Sequence, residues 1–309
     1  MAELQHPLAT EIGCFGKIPS ENDFVRTGAQ GSCSRKFDVW LREGTAHLLR
    51  NNISPQRSVT HFLFGHDVDN GYLLGSLTPS RDGVQRSFPL AVYCRPPAQD
   101  MPLSYPRIPQ AFSAFINASA SFVSFAQSLQ FNDLTTELEQ LSKVVPTGYS
   151  PVSSQQSFPI GADELMQRMF AEQPPHSHEA AFGLFTSACQ RRNSQLPYAD
   201  ATLDCPVSSD IELYFWLELS QRLLNWSTAA PTFVWRTESS RLLICLGLPS
   251  AQTFEFMESP NAKSPHLWPL HGQEPQQIEA CRQVLTARQR HALTTSGLSI
   301  PQLLDDIIP

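Results

Sequence analysis

Apolar residues recur along the chain at two spacings, and the switches between them mark out the elements. After Ser34, read as an N-cap, Phe37, Trp40, Leu41 and Leu48 follow at helical intervals to about Asn51, which predicts a helix with one buried face. VTHFLFGH (Val59 to His66) and YLLGSLTP (Tyr72 to Pro79) are strand-like runs around DVDNG, whose Asn70-Gly71 pair suits the positive φ angles of a tight hairpin. FPLAVYCR, Phe88 to Arg95, reads as a third strand, so an antiparallel part of a sheet is expected here.

Prolines crowd Pro96 to Pro109, and an extended connection is expected there. Beyond it Phe112, Phe115, Ile116, Phe122, Phe125 and Leu129 share one helical face; Asn117, Gln127 and several serines favour a core helix over a membrane span. Leu134, Leu138, Leu141 and Val145 trace a short helix ended by Pro146, a loop covers Thr147 to Pro159, and Leu165, Met166, Met169 and Phe170 mark another helix. Ser209-x-x-Glu212 reads as a capping box opening a helix to about Trp226. TFVWRTE and RLLICLG, within Thr232 to Gly247, are two strands turning through Ser239 and Ser240. PQQIEACRQVLTARQRHAL in the tail suggests one helix with Ile278, Cys281, Leu285 and Gln289 inward.

Composition narrows the class without changing that picture. With 309 residues, 41% hydrophobic and 17% charged, the chain is globular, and its 25 prolines predict much irregular loop. A net charge of −7 with no Lys/Arg run longer than two residues leaves no footprint for nucleic acid or an anionic membrane. The start, MAELQHPLATEIG, lacks the basic flank and apolar run of a signal peptide, so a cytoplasmic location is expected. Seven cysteines without a CxxC pair fit reduced, mostly buried thiols. NAS at Asn117 and NWS at Asn225 match glycosylation acceptors, a pattern that matters only in a secreted protein.

Candidate chemistry is sparse. GCFGKIPSENDFV, Gly13 to Val25, looks like a phosphate-binding loop, but only Cys14 and Phe15 separate its glycines and Ile18 stands where the Mg²⁺-binding hydroxyl belongs. Pro19 also steers Ile18 out of helical φ/ψ. Ser80, in TPSRDG, is not in the G-x-S-x-G elbow of a serine hydrolase, although His61 or His66 could serve it as a base. Asp67 and Asp69 lack the rest of a calcium loop; His176 and His178 lack partners at metal-ligand spacing and read as an exposed loop; Asp305 and Asp306 read as a solvated face. No catalytic residue, cofactor or metal is expected. What remains is polar residues in two turns: Lys17, Asp23 and Arg26, then Ser80, Asp82 and Arg86. They either brace the strand ends or form a recognition surface, with bracing favoured for Asp82 and Arg86 and contact for Phe24 and Lys17.

In these residues the chain resembles the TagF, or ImpM, family of type VI secretion accessory proteins. The family's opening block, Gly-aromatic-Gly-Lys-hydrophobic-Pro-Ser leading to Asp-Phe-Val, is matched by Gly13, Phe15, Gly16, Lys17, Ile18, Pro19, Ser20, Asp23, Phe24 and Val25. Asp38, Trp40 and Leu41 match its tryptophan-bearing helix, and Pro79, Ser80, Asp82, Val84, Arg86, Phe88, Pro89 and Leu90 match a second block. Trp235, Gly247, Leu248, Pro249 and Phe254 match a looser third. Gln85 stands where the family carries glycine, and Glu21-Asn22 where it carries a basic-Gly pair. The matches span about residues 11 to 258, so a TagF-like α/β domain over 1–258 and a C-terminal extension over 259–309 are expected.

The resemblance implies a three-layer α/β/α sandwich with a mixed, partly antiparallel sheet. It implies a non-enzymatic cytoplasmic protein that restrains type VI secretion after translation by binding the system's forkhead-associated scaffold. Lys17, Pro19, Asp23, Phe24, Ser80, Asp82 and Arg86 are the expected partner-binding residues. The alternatives are a structural or assembly subunit of the apparatus, or a hydrolase using Ser80.

Overall fold

The computed structural model describes residues 11–28, 31–65, 71–96, 105–145, 158–194, 201–224, 226, 231–236 and 238–308. Nine strands form one sheet: β1 (Glu11–Gly16), β2 (Val25–Gly28), β3 (Thr60–Gly65), β4 (Tyr72–Thr78), β5 (Leu90–Arg95), β6 (Thr202–Pro206), β7 (Thr232–Arg236), β8 (Arg241–Cys245) and β9 (Leu267–Pro269). Their order is β2-β1-β5-β4-β3-β7-β8-β6-β9. Every pairing is antiparallel except β6 with β9, so the sheet is mixed.

Strict alternation explains why both faces are covered. On β5, Leu90, Val92 and Cys94 enter one core while Ala91 and Tyr93 enter the other; on β3, Leu63 opposes Phe62 and Phe64; on β8, Leu242 and Ile244 oppose Leu243. Successive side chains in a strand point to opposite faces, so strands this apolar need helices on both sides. One face packs on α1 (Ser32–Arg50) and α8 (Gln252–Glu258), which supply Phe37, Trp40, Leu41, Phe254 and Met257. The other packs on α3 (Ser113–Phe125), α4 (Phe131–Ser142), α5 (Ala162–Phe170), α6 (Ser177–Asn193) and α7 (Asp210–Leu224). Leu293 of α10 (Ala287–Thr294) and Leu303 of α11 (Ile300–Ile307) join that larger core. The result is the expected α/β/α layering.

The three predicted antiparallel strands form as β3, β4 and β5, though the strand order is β5-β4-β3 and β5 also pairs with β1. Several expectations are corrected. Ser34 lies inside α1 and Gly31 is its N-cap, because the helix starts at Ser32. The proline-rich connection ends in helix: Tyr105–Arg107 is a 3₁₀ turn and Ile108–Ala111 is α2. Phe125 is 54% exposed, since α3 gives way to a 3₁₀ turn at Ala126–Ser128. Half of the expected box at α7 forms, Ser209 Oγ accepting from the Glu212 N–H at 3.5 Å, but the Glu212 carboxylate returns to the Ser208 N–H and hydroxyl instead of the Ser209 N–H. His176 and His178 are not in a loop: His176 is the N-cap of α6, with φ 66°, and His178 is in its first turn.

The predicted tail helix is broken in two. Pro275–Arg282 is α9, and Thr286 starts α10 by accepting from the Gln289 N–H while the Gln289 side chain accepts from Thr286 N–H. Two capped short helices can turn a corner that one straight helix could not. Asp67 to Asn70, His66, Pro97 to Ser104, Thr147 to Ser157 and Asn225 lie outside the described residues. Among the described residues no helix is long and apolar enough to cross a membrane.

Candidate functional site

β1 and β2 form a hairpin, Phe15 opposite Arg26 and Gly16 opposite Val25, with the motif's loop between them. Gly16 has φ +149°, and a Cβ there would lie 2.2 Å from the Pro89 carbonyl oxygen. That close approach accounts for glycine at this position better than phosphate binding does. It also sets the first turn directly against the second: Gly83 N–H donates to Glu21 O at 2.7 Å.

Asp82 is the hub between the two turns. It is fully buried; its Oδ2 accepts from Lys17 Nζ at 2.8 Å and from Arg86 Nε at 2.7 Å. Its Oδ1 accepts from the N–H groups of Arg86 at 2.8 Å and Val84 at 3.1 Å. Burial pushes its pKa up, but the hydrogen bonds from Lys17 and Arg86 and the charge of Lys17 outweigh that and hold the carboxyl well below the usual carboxylate range. Lys17 is itself buried and directed inward at Asp82, whereas the Arg86 side chain is 59% exposed and also donates to Asn22 O. Lys17, Asp82 and Arg86 therefore form one cluster.

The other expected residues are dispersed around it. Pro19 and Asp23 are exposed, Asp23 accepting from Phe24 N–H at 2.7 Å. Ser80 is buried and its hydroxyl has no hydrogen-bond partner among the described residues, while its carbonyl accepts from Phe88 N–H. His61 is engaged elsewhere, Nδ1 lying 3.0 Å from the Ser76 hydroxyl, and desolvation lowers its pKa to about 4. The two turns are tied to the far helices by Ser20 Oγ donating to Leu129 O and Gln127 Nε2 to Pro79 O.

Phe24, half-buried, completes an aromatic cluster: it stacks on Phe15 and meets Phe88 edge-on at 4.8 Å. The guanidiniums of Arg26 and Arg42 and the Lys17 ammonium lie over these rings. Arg42 is the residue that sequence reading misses. It lies on α1 while the rings come from the hairpin, and no local signal joins them. Arg26 pairs with the buried Asp38 of α1, which the tryptophan-helix match already picks out.

Among the described residues no group of three His, Cys, Asp or Glu could hold a metal ion. All seven cysteines are unbridged thiols and six are buried, with burial pushing the Cys14 thiol up to about 12.

Comparison with known proteins bears on the same region. No curated protein matches the chain. Among solved structures, the crystal structure of PA0076 from Pseudomonas aeruginosa PAO1 is similar at a TM-score of 0.46 and 16% identity, covering 85% of this chain and 100% of that one. Residues 13–141, which include both turns and the aromatic cluster, match the family described as the TagF N-terminal domain, type VI secretion system-associated. The match is to residues 13–141 alone, and it links the chain to type VI secretion through a TagF N-terminal domain.

Proposed function

We propose that the protein is a non-enzymatic cytoplasmic regulator that restrains type VI secretion after translation by binding the forkhead-associated scaffold of that system. The carrying observation is the Lys17–Asp82–Arg86 cluster. The charged residues of the two family blocks are bonded to one another, and they lock two loops into one surface. Rigid loops on a sheet scaffold are a common way to present a binding face. A hydrolase using Ser80 would need a base in reach of it, and the hydroxyl has no hydrogen-bond partner among the described residues.

The test is deletion of the gene in a cell with an active system, followed by measurement of secreted effector and by co-purification at native levels. Rising secretion with the scaffold recovered is expected. Falling secretion, with the protein present stoichiometrically in isolated apparatus, would overturn regulation in favour of a structural or assembly subunit. Hydrolysis lost on Ser80→Ala would overturn the non-enzymatic assignment.

A further inference from the structure

Two guanidinium groups stand over the aromatic stack at one end of the sheet. Phe15 and Phe24 are nearly parallel, with centroids 5.4 Å apart and 9° between planes. The Arg26 guanidinium is 4.6 Å from the Phe15 centroid, and that of Arg42 is 4.4 Å from Phe24 and 5.2 Å from Phe15. A ring face attracts such a cation and leaves the edge of its planar fork available to bond carboxylate.

Their neutralisation differs. Arg26 is bonded to Asp38, whereas Arg42 is exposed and forms no ion pair among the described residues. Arg42 is thus oriented by two rings and not compensated by an acid. Orienting the side chain in advance lowers the ordering cost when an anion arrives.

The backbone beside it is also open. β2 is the terminal strand, paired with β1 on one side and with no strand on the other among the described residues. An open edge offers main-chain N–H and C=O groups to an extended segment.

We propose that the edge of β2, with Arg26 and Arg42 held over Phe15 and Phe24, is the docking site for an extended acidic segment of a partner protein. Its carboxylates bond Arg42 while its main chain lies along β2. This rests on the reading of the protein as a binding regulator and names the face it uses. Charge selects the occupant: an apolar segment would cover Arg42 without pairing it. The exposed Asp23 and Glu43 adjoin Phe24 and Arg42 in the chain, so the site takes its specificity from Arg42 and the strand edge rather than from a broad basic surface.

The experiment uses the full-length protein, the purified forkhead-associated scaffold and, as a direct probe, a short fluorescent Glu-rich peptide. Arg42→Glu is the informative variant, because changing Arg26 would strand the buried Asp38. It is expected to melt within a few degrees of wild type and to weaken both interactions about tenfold or more, with Arg42→Lys intermediate. If Arg42→Glu does not fold, Arg42→Gln gives the same comparison without adding a charge. Scaffold binding unchanged in the variant overturns this site and leaves the regulator reading standing. Peptide binding that depends on Arg42, with no scaffold binding by wild type, supports the site and sinks the regulator reading. Binding of neither by wild type overturns both.

Discussion

Two acid–base clusters are buried in this protein, and they hold different things. In the first, one acid serves two bases: Asp82 joins Lys17 and Arg86 across two loops, and Arg86 reaches solvent. In the second, two bases each need their own acid. Arg236 and Arg241 are direct cross-strand partners on β7 and β8, and both are buried. Like charges so placed repel. Glu258 bonds Arg236, Asp204 bonds Arg241 at 3.0 and 2.7 Å, and the Met257 carbonyl accepts from Arg236 at 3.1 Å. Hydrogen bonds and charge from His271 and Arg241 keep the Asp204 carboxyl below its ordinary range in spite of its burial. The first cluster can lose a partner to water and the second cannot. That difference orders the mutational costs.

The largest effect is expected in the second cluster. Asp204→Ala leaves Arg241 buried opposite Arg236, and losing one member of a buried pair costs about 3–5 kcal/mol. Denaturant unfolding measures it. The double change Asp204→Leu with Arg241→Met is expected to recover most of the loss, because it removes the stranded charge as well as the bond. If the double variant is no better than the single one, packing and not charge sets the cost.

His61 tests the opposite solution, a partly buried base kept neutral. Its ring lies 5.3 Å from that of Trp235, tilted by 39°, and no acid pairs with it among the described residues. With a folded pKa of about 4, against 6.5 ordinarily, the unfolded chain binds the extra proton between those values. Its contribution is complete above pH 6.5 and falls away towards pH 4, by at most about 3 kcal/mol at 1.36 kcal/mol per unit. His61→Gln is expected to flatten the stability profile in that window. A slope unchanged in the variant would assign it to another group.

Asp82→Asn comes next, expected to lower the melting temperature by roughly 4 °C. The backbone N–H bonds to Oδ1 can persist and Arg86 can turn to solvent, but Lys17 loses its charge partner. Because Asp82 has a depressed pKa, its stabilisation is present above the unfolded value near 4 and is lost as pH falls through the folded one. Wild type and Asp82→Asn are therefore expected to converge in acid, below the His61 window. Divergence on acidification would contradict the hub role.

The two clusters also differ in how far sequence reveals them. Lys17, Asp82 and Arg86 fall in matched blocks and, for the last two, four residues apart, so their meeting was legible. Arg241 and Asp204 are 37 residues apart, and Asp204 lies in TLDCP, a five-residue strand to which the sequence reading assigns no element. Helix α6 was missed for a related reason. It buries Ala180, Ala181, Phe182, Gly183, Phe185 and Cys189 on more than one face, so no amphipathic stripe appears. Gly183 meets α9 so closely that a Cβ would lie 2.1 Å from Cys281 O, a constraint visible only after folding. The break at Thr286 and the start of α11 at Ser299 are different: T-x-x-Q and S-x-x-Q follow the rule that located α7, and these boundaries were readable.

The smallest expected effect concerns the turn that shapes the first cluster. Gln85 has φ 69°, the left-handed region, at the position where the resembled family carries glycine. Its N–H donates to Asp82 O at 3.0 Å and Asp82 N–H donates to Arg86 O at 3.2 Å, so the conformation is fixed by the bonds that present Asp82 to Lys17. A side chain in this region costs about 1–2 kcal/mol, and glycine gives back about 0.5–1 kcal/mol through its freer unfolded chain. The Gln85 side chain offers little in return, a 3.5 Å contact with Arg81 at the surface. Gln85→Gly is therefore expected to stabilise by about 0.5–1 kcal/mol, and Gln85→Val, β-branched, to destabilise by at least as much. Denaturation midpoints of the two variants measure both, and repeating them in Asp82→Asn separates turn strain from the ion pairs. If the glycine variant is less stable than wild type, Gln85 is making a contact beyond the turn. If it is more stable only when Asp82 is intact, the carboxylate shell is what forces the left-handed turn.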